Sequence, residues 1–483
     1  MVRWSLPLLL AAFACNGTDE RDDTGHPIDD STPPDDTGTP PDDSDTPKDD
    51  SGDDTGTVPI DTAHQAPDTV QDYAVATWYG VEADRIGGTV KAVGDVTGDG
   101  ATDLLIGAPL SSDGGVPFFG RGYVVTPDVK EDPTELEAGD AINGNAPLAH
   151  LGWDVGGQLD ANNDGQDDLL LGSYLSWYTG ALDGAGDLFL GPVTPGAAAD
   201  VRFLCDEPHA TSGLSIESLG DITDDGADDF AIGSPGSGTI WIVAGDDDWA
   251  KAEFLTDVAT RVYGPGTYLG EGLLGGDWTG DGVADMAAST SEILEGPATV
   301  YVFEGPVGTA DILTDDAALM IQPTTLVMQT TIANAGDTDG DGTNDLAVGL
   351  PNDETTHGAV QIYTAPLTDK PAARFVGDST IGQLGLSMDG IGDANGDGFD
   401  DLAIGAPSPL FGDHRGTVVV ENGPFTGTIT VLPSIWIGET GYDELGWSVA
   451  GLGDANGDGD VDLVVGAPEF RQDSGAVYLL SGW

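Results

Sequence analysis

A nine-residue stretch of the form Asp-x-x-x-Asp-Gly-x-x-Asp recurs seven times between residues 95 and 462, and it constrains this 483-residue chain more than any other feature. The copies begin at Asp95, Asp160, Asp221, Asp277, Asp337, Asp393 and Asp454, at spacings of 65, 61, 56, 60, 56 and 61 residues. A period this regular sets the structural unit before any single element is assigned.

Each copy sits in the same context. Ahead of it runs a short segment such as Gly446-Trp447-Ser448-Val449-Ala450-Gly451-Leu452-Gly453. Behind it comes an apolar run ending in a stop, as in Leu463-Val464-Val465-Gly466-Ala467-Pro468. A Gly-led strand such as Gly475-Ala476-Val477-Tyr478-Leu479-Leu480 follows, and then a fourth apolar stretch such as Ile435-Trp436-Ile437. Four short strands in about 60 residues, without helical periodicity, predict the blade of a β-propeller rather than the shorter coil of a solenoid. The expected fold is all-β: one seven-bladed propeller with four-stranded blades over residues 73–483. The seventh unit lacks its outer strand, while Ala76-Thr77-Trp78-Tyr79-Gly80 precedes the first loop and aligns with Ile435-Trp436-Ile437-Gly438. Residues 74–79 are therefore expected to pair with 476–480 and close the ring, leaving no open edge.

Positions 1, 3, 5 and 9 of each loop carry side-chain oxygens, position 7 offers its carbonyl, and position 6 is Gly throughout. Calcium takes six to eight oxygen ligands at flexible angles, and Gly permits the sharp turn that brings them together. The expected ligands are Asp95, Thr97, Asp99 and Asp103; Asp160, Asn162, Asp164 and Asp168; Asp221, Thr223, Asp225 and Asp229; Asp277, Thr279, Asp281 and Asp285; Asp337, Asp339, Asp341 and Asp345; Asp393, Asn395, Asp397 and Asp401; and Asp454, Asn456, Asp458 and Asp462. Up to seven ions would be held, most weakly where Thr stands at position 3. An isolated copy reads equally well as an Asp-Gly hairpin turn; seven copies in register favour calcium. An EF-hand needs flanking helices and a Glu at position 12, where the first loop has Ile106 in an apolar run. Zinc is disfavoured because the six His and two Cys do not cluster.

Leu445-Gly446, the loop Asp454–Asp462 and Gly466-Ala467-Pro468 resemble the FG-GAP repeat, the blade unit of integrin alpha-chain propellers and of many bacterial surface proteins. The resemblance is closest in copies 1, 6 and 7. Copy 2 has Gly172-Ser173-Tyr174 at the stop and copy 4 has Ala288-Ser289-Thr290. It implies calcium in hairpin loops on one face of the ring and ligands bound on the other. The connections that reach that other face carry Phe118, Phe119, Tyr174, Trp177, Tyr178, His209, Tyr268, His357, Phe411, His414, Arg415 and Tyr442. Of these Trp177, Tyr178, His414 and Arg415 are the ligand-face candidates. Cys205 reads as a buried apolar side chain.

The N-terminus differs in kind. Residues 1–14 read as a signal peptide, with Arg3 ahead of an apolar run too short to span a membrane. Ala12-Phe13-Ala14-Cys15 resembles a bacterial lipoprotein processing site, so Cys15 is the expected lipidated residue, with an ordinary secretory signal as the alternative. Asn16 after it favours an outer-membrane address by the same resemblance. Residues 15–72 form an acidic Asp/Thr/Pro linker, with 18 acids against 2 bases in 16–72 and almost no apolar side chains. Such a stretch cannot offset its ordering entropy and is expected to stay disordered. It would reach roughly 40 to 45 Å between anchor and ring.

Charge narrows the partners. The 85 acids comprise 68 Asp and 17 Glu against 14 Lys and Arg, for a net charge of −71. Phosphate neutralisation needs Lys and Arg, so no nucleic-acid partner is expected, and membrane contact is expected through the lipid anchor alone. The leading function is a calcium-stabilised cell-surface propeller of adhesion or scaffold type, exported to the outer membrane or secreted, that binds an extracellular protein or glycan. The alternative is an enzyme or enzyme subunit acting on polysaccharide or phosphodiester substrates. Against it, the chain has no Gly-x-Ser-x-Gly elbow, no phosphate loop and no His cluster, and no catalytic residue is assigned. A third reading makes the acidity an adaptation to high salt.

Overall fold

The computed structural model describes residues 69–482 apart from 82–83, 113–117, 128–132, 145–146, 177–182, 247, 265–266, 292–297, 324–328, 354–356, 378–380, 409–414 and 432–435. The expected signal peptide, Cys15 and the linker up to residue 68 lie outside these residues, as do Trp177, Tyr178, Phe411 and His414.

Seven sheets follow one another along the chain, each built on four antiparallel strands. Blade 1 consists of Thr89–Gly94, Asp103–Ala108, Arg121–Val125 and Ile142–Asn143, from the inside outward. Blade 6 repeats the plan with Ser387–Gly392, Asp401–Ala406, Thr417–Glu421 and Trp436–Ile437. The inner strands pack side by side around a central channel, and the inner strand of blade 1 contacts those of both blade 2 and blade 7. Each second strand begins at the position-9 Asp of its loop and is buried along its whole length. Neighbouring blades cover both faces of it, which is why it reads as a continuous apolar run instead of an alternation. Helix is confined, among the described residues, to single turns such as Leu255–Val258 and Phe470–Asp473.

Closure occurs as the sequence predicts. Ala74–Tyr79 runs antiparallel to Ala476–Ser481, from Ala74 opposite Leu480 to Tyr79 opposite Ala476. Ahead of the closing strand, Thr69 bridges Ile437 on the outer edge of blade 6 and Val70 is fully buried. Beside the closing strand, Arg121 Nη1 donates to both carboxylate oxygens of Asp84 at 3.0 Å, and the Tyr123 hydroxyl donates to the same group at 3.0 Å. This buried pair ties the connector after the closing strand to blade 1.

Four sheets hold a fifth strand that the repeat pattern does not announce. Thr134–Glu135, Ala252–Phe254, Ile312–Leu313 and Gly427–Val431 each add in parallel to the outer strand of the preceding blade. All four lie in the connection between the third and outer strands. Thr69 precedes the closing outer strand and occupies the corresponding place on blade 6.

The Gly-Ala-Pro stop and the Leu-Gly pair acquire a physical meaning at the blade seams. A Cβ on Gly107, Gly172, Gly233, Gly349, Gly405 or Gly466 would come within 2.1 to 2.4 Å of a glycine carbonyl in the next blade. Hydroxyls at the start of the inner strands reinforce the seam, as in Ser448 to Gly87 O at 2.8 Å and Ser387 to Gly446 O at 2.9 Å. Blade 4 carries Ser289 where the others have Gly. The Ser289 hydroxyl donates to Thr330 O of blade 5 at 3.4 Å.

Trp78 on the closing strand is 4% exposed within the shared core of blades 7 and 1. Trp78→Ala is expected to destabilise the ring by about 3 to 5 kcal/mol in urea unfolding.

Candidate metal centre

All seven loops share one backbone. Position 4 is left-handed in every copy: Gly98, Asn163, Asp224, Gly280, Gly340, Gly396 and Gly457 have φ between 55° and 79°. Position 6 is left-handed as well, with φ between 85° and 96° from Gly100 to Gly459. The Gly, Asn or Asp found at position 4 is the residue choice such a conformation favours.

The carboxylates are held by amides in a fixed pattern. The position-6 amide donates to the position-1 carboxylate in all seven copies at 2.8 to 3.0 Å. The position-7 amide donates to position 5 at 2.9 to 3.1 Å, again in all seven. Position 9 is buried, and one of its oxygens accepts from the amide at position 2 or 3 at 2.8 to 3.1 Å. In five copies the other oxygen accepts, at 2.9 to 3.1 Å, from the backbone just past the third strand, at Gly191, Gly245, Gly305, Ala365 or Gly423. In loop 1 the Thr126 hydroxyl takes that place, and in loop 7 Asn456 Nδ2 does. Position 9 is thus a bracket between loop and sheet as well as a candidate ligand, a role the spacing alone does not reveal.

The donor set fits a hard cation. It consists of oxygens alone, and each carboxylate oxygen that accepts one amide keeps a second lone pair. The hydroxyls of Thr97 and Thr223 are buried and make no hydrogen bond of normal geometry. In loop 5, oxygens of Asp337, Asp339 and Asp341 lie within 4.8 Å of one another. Burial raises the pKa of every position-9 carboxyl, to about 6 at Asp168 and Asp345, so a neighbouring positive charge would be favourable there.

On the opposite face, Phe118 stacks on His150 at 5.6 Å, and His150 and Trp153 each touch Tyr174, at 5.4 and 4.8 Å. The rings come from three connections across blades 1 and 2. Phe118 and Tyr174 are legible from the stops they follow; His150 and Trp153 flank a Leu-Gly pair and were hidden by it. Burial lowers the His150 pKa to about 4, so the ring is neutral at neutral pH. Tyr442 stands exposed at 66%, whereas Phe119 and Tyr174 are buried. Arg415 is partly buried, and its backbone carbonyl accepts from Leu445 N at 2.9 Å. Cys205, just past the outer strand of blade 2, is buried and unbridged.

The central channel, a cavity of about 590 Å³, holds a charge cluster that the repeat pattern does not announce. Lys91 of blade 1 pairs with Glu217 of blade 3 at 2.5 Å, with Asp154 of blade 2 and Asp389 of blade 6 near enough to raise its pKa. Burial lifts Asp389 to about 6 and Glu217 to about 7, with repulsion from Asp154 and Asp389 adding to the shift at Glu217.

Two outcomes follow from these contacts. Asp168→Ala leaves two amides without their acceptor and is expected to cost about 2 to 4 kcal/mol in urea unfolding, with or without cation. Carboxyls with raised pKa contribute stability below their unfolded values that is lost as pH rises through about 6 to 7. Melting temperatures between pH 5 and 8 should therefore fall less steeply in Glu217→Gln than in the parent.

The FG-GAP repeat model matches residues 88–125, 390–432 and 445–480, which fall in blades 1, 6 and 7. Integrin alpha-8 of Mus musculus is 30% identical over 242 residues, covering 47% of this chain and 22% of its own length. Integrin alpha-5 of Xenopus laevis is 34% identical over 156 residues, covering 30% of this chain and 14% of its own. Integrin alpha pat-2 of Caenorhabditis elegans is 30% identical over 167 residues, covering 30% and 13%. The chain therefore spans less than a quarter of the length of these relatives. A crystal structure of BBS1N in complex with ARL6DN aligns with TM-score 0.46 and 12% identity, covering 83% of this chain and 96% of that one. The repeat matches, the integrin alpha relatives and the ring itself together support an FG-GAP β-propeller.

Proposed function

We propose that this ring is a calcium-binding, calcium-stabilised propeller of adhesion or scaffold type, presented outside the cell, that takes an extracellular protein or glycan on the face opposite its acidic loops. The observation that carries the reading is the sevenfold recurrence of one loop backbone with an oxygen-only ligand set, two of whose buried hydroxyls make no hydrogen bond of normal geometry. A hairpin turn alone would not require side-chain oxygens at positions 1, 3, 5 and 9 in every copy. The integrin alpha relatives, matched over part of this ring, support the same reading. Attachment through Cys15 after export, with the acidic linker as spacer, belongs to the proposal and rests on the sequence.

Calcium confined to the folded state adds about 2.7 kcal/mol per independent site at a hundredfold excess over its dissociation constant. Scanning calorimetry with calcium and then with chelator should show a higher melting temperature in calcium. An unchanged melting temperature rejects calcium stabilisation. Glycan and protein arrays probed with the recombinant ring test the ligand class.

A further inference from the structure

Position 8 of the loops varies, and three copies place Asp there, at Asp167, Asp228 and Asp400. Each of these carboxylates leaves its own loop and accepts the position-1 amide of the preceding loop. The bonds run from Asp95 N to Asp167 at 2.6 Å, from Asp160 N to Asp228 at 3.0 Å and from Asp337 N to Asp400 at 2.8 Å. Two are reciprocal, since the amides of Asp228 and Asp400 donate back to the carbonyls of Asp160 and Asp337 at 3.4 and 3.0 Å. Between loops 2 and 3 the Asn163 side chain adds a bond to Gly226 O at 3.1 Å. The approach is close enough that a Cβ on Gly94 or Gly336, just before loops 1 and 5, would come within 2.3 Å of the incoming carboxylate. At the same position Ala284 and Val461 have no acceptor to offer, and Thr102 and Asn344 are neutral.

We infer that the loops take up cations in two coupled groups, loops 1 to 3 and loops 5 and 6, through the positioning residues Asp167, Asp228 and Asp400. The inference rests on the cation-binding reading above. Each position-8 Asp precedes a position-9 ligand candidate, so a cation that orders one loop also orders the carboxylate that grips the loop before it. The gripped residue is the position-1 Asp, whose side chain is the first ligand of that preceding loop. Part of the ordering cost of the second loop is then already met when the first is filled, and the coupling is reciprocal. Loops 4 and 7 are outside both groups, since no position-8 carboxylate links them to a neighbour.

The test follows each loop separately in the full folded chain, labelled with nitrogen-15 glycine, stripped with chelator and titrated with calcium. The position-6 amides of Gly100, Gly165, Gly226, Gly282, Gly342, Gly398 and Gly459 report their own loops by NMR. In Asp167→Ala the Gly100 midpoint is expected to move to about fivefold or more higher calcium, with Gly282 and Gly459 unmoved. Asp167→Asn keeps a carbonyl acceptor and should restore most of the difference, which a loss of global stability would not. A second route leaves Asp167 intact: Asp164→Ala disables loop 2 and should weaken loops 1 and 3. Unchanged Gly100 midpoints in both Asp167→Ala and Asp164→Ala overturn the coupling and leave calcium binding standing. No calcium-dependent shift at any of the seven glycines in the parent chain overturns calcium binding itself.

Discussion

Pairing between the two ends of the chain is the constraint from which the other contacts follow. Once Ala74–Tyr79 completes the seventh sheet beside Ala476–Ser481, every inner strand has a neighbour on both sides. Every second strand is then covered on both faces, and the apolar Leu-Leu-Ile and Leu-Val-Val runs are buried throughout. The hydrophobic core is accordingly a set of clusters, each spanning neighbouring blades. Without closure, blades 7 and 1 would each expose one face of such a cluster to water. Fully burying even one large apolar side chain contributes about 1.5 to 3 kcal/mol, and the seam contains many.

The acidic loops are tied into this frame. Their position-9 carboxylates reach both the start of the loop and the end of the third strand. The loop's shape is therefore held by the sheet and not by the loop alone. This bracket explains how a stretch so rich in like charges keeps one backbone seven times over. Amide donors offset part of the repulsion and the burial that would otherwise drive the carboxylates to protonate. A bound cation would complete that compensation. The channel cluster of Lys91, Glu217, Asp154 and Asp389 meets the same difficulty differently, with one ammonium shared among three carboxylates.

Much of this is written in local patterns. The seven loops, their Gly at position 6, the buried second strands and the closing strand can all be read from spacing and from runs of four to eight residues, because turn chemistry and burial act over that range. Side-chain oxygens at fixed loop positions likewise name the candidate ligands directly. The stops in copies 2 and 4 look like defects in the sequence. The structure keeps the strand order of both blades although their inner pairings differ from those of the other five, and at the seam of blades 4 and 5 the Ser289 hydroxyl donates to Thr330 O.

What the sequence by itself determined is the blade number, the loop register, the closing strand and which loop positions carry side-chain oxygens, since each is a property of one stretch of chain or of its repetition. Only the tertiary structure decided the fifth strands and the return of Thr69 to blade 6. The same holds for the grip of Asp167 on Asp95, the aromatic contact of Phe118 with His150, and the meeting of Lys91 with Glu217 across the channel. These are contacts between different blades, joining residues from 32 to 368 positions apart. Their adjacency follows from the curvature of the ring, which no local pattern encodes.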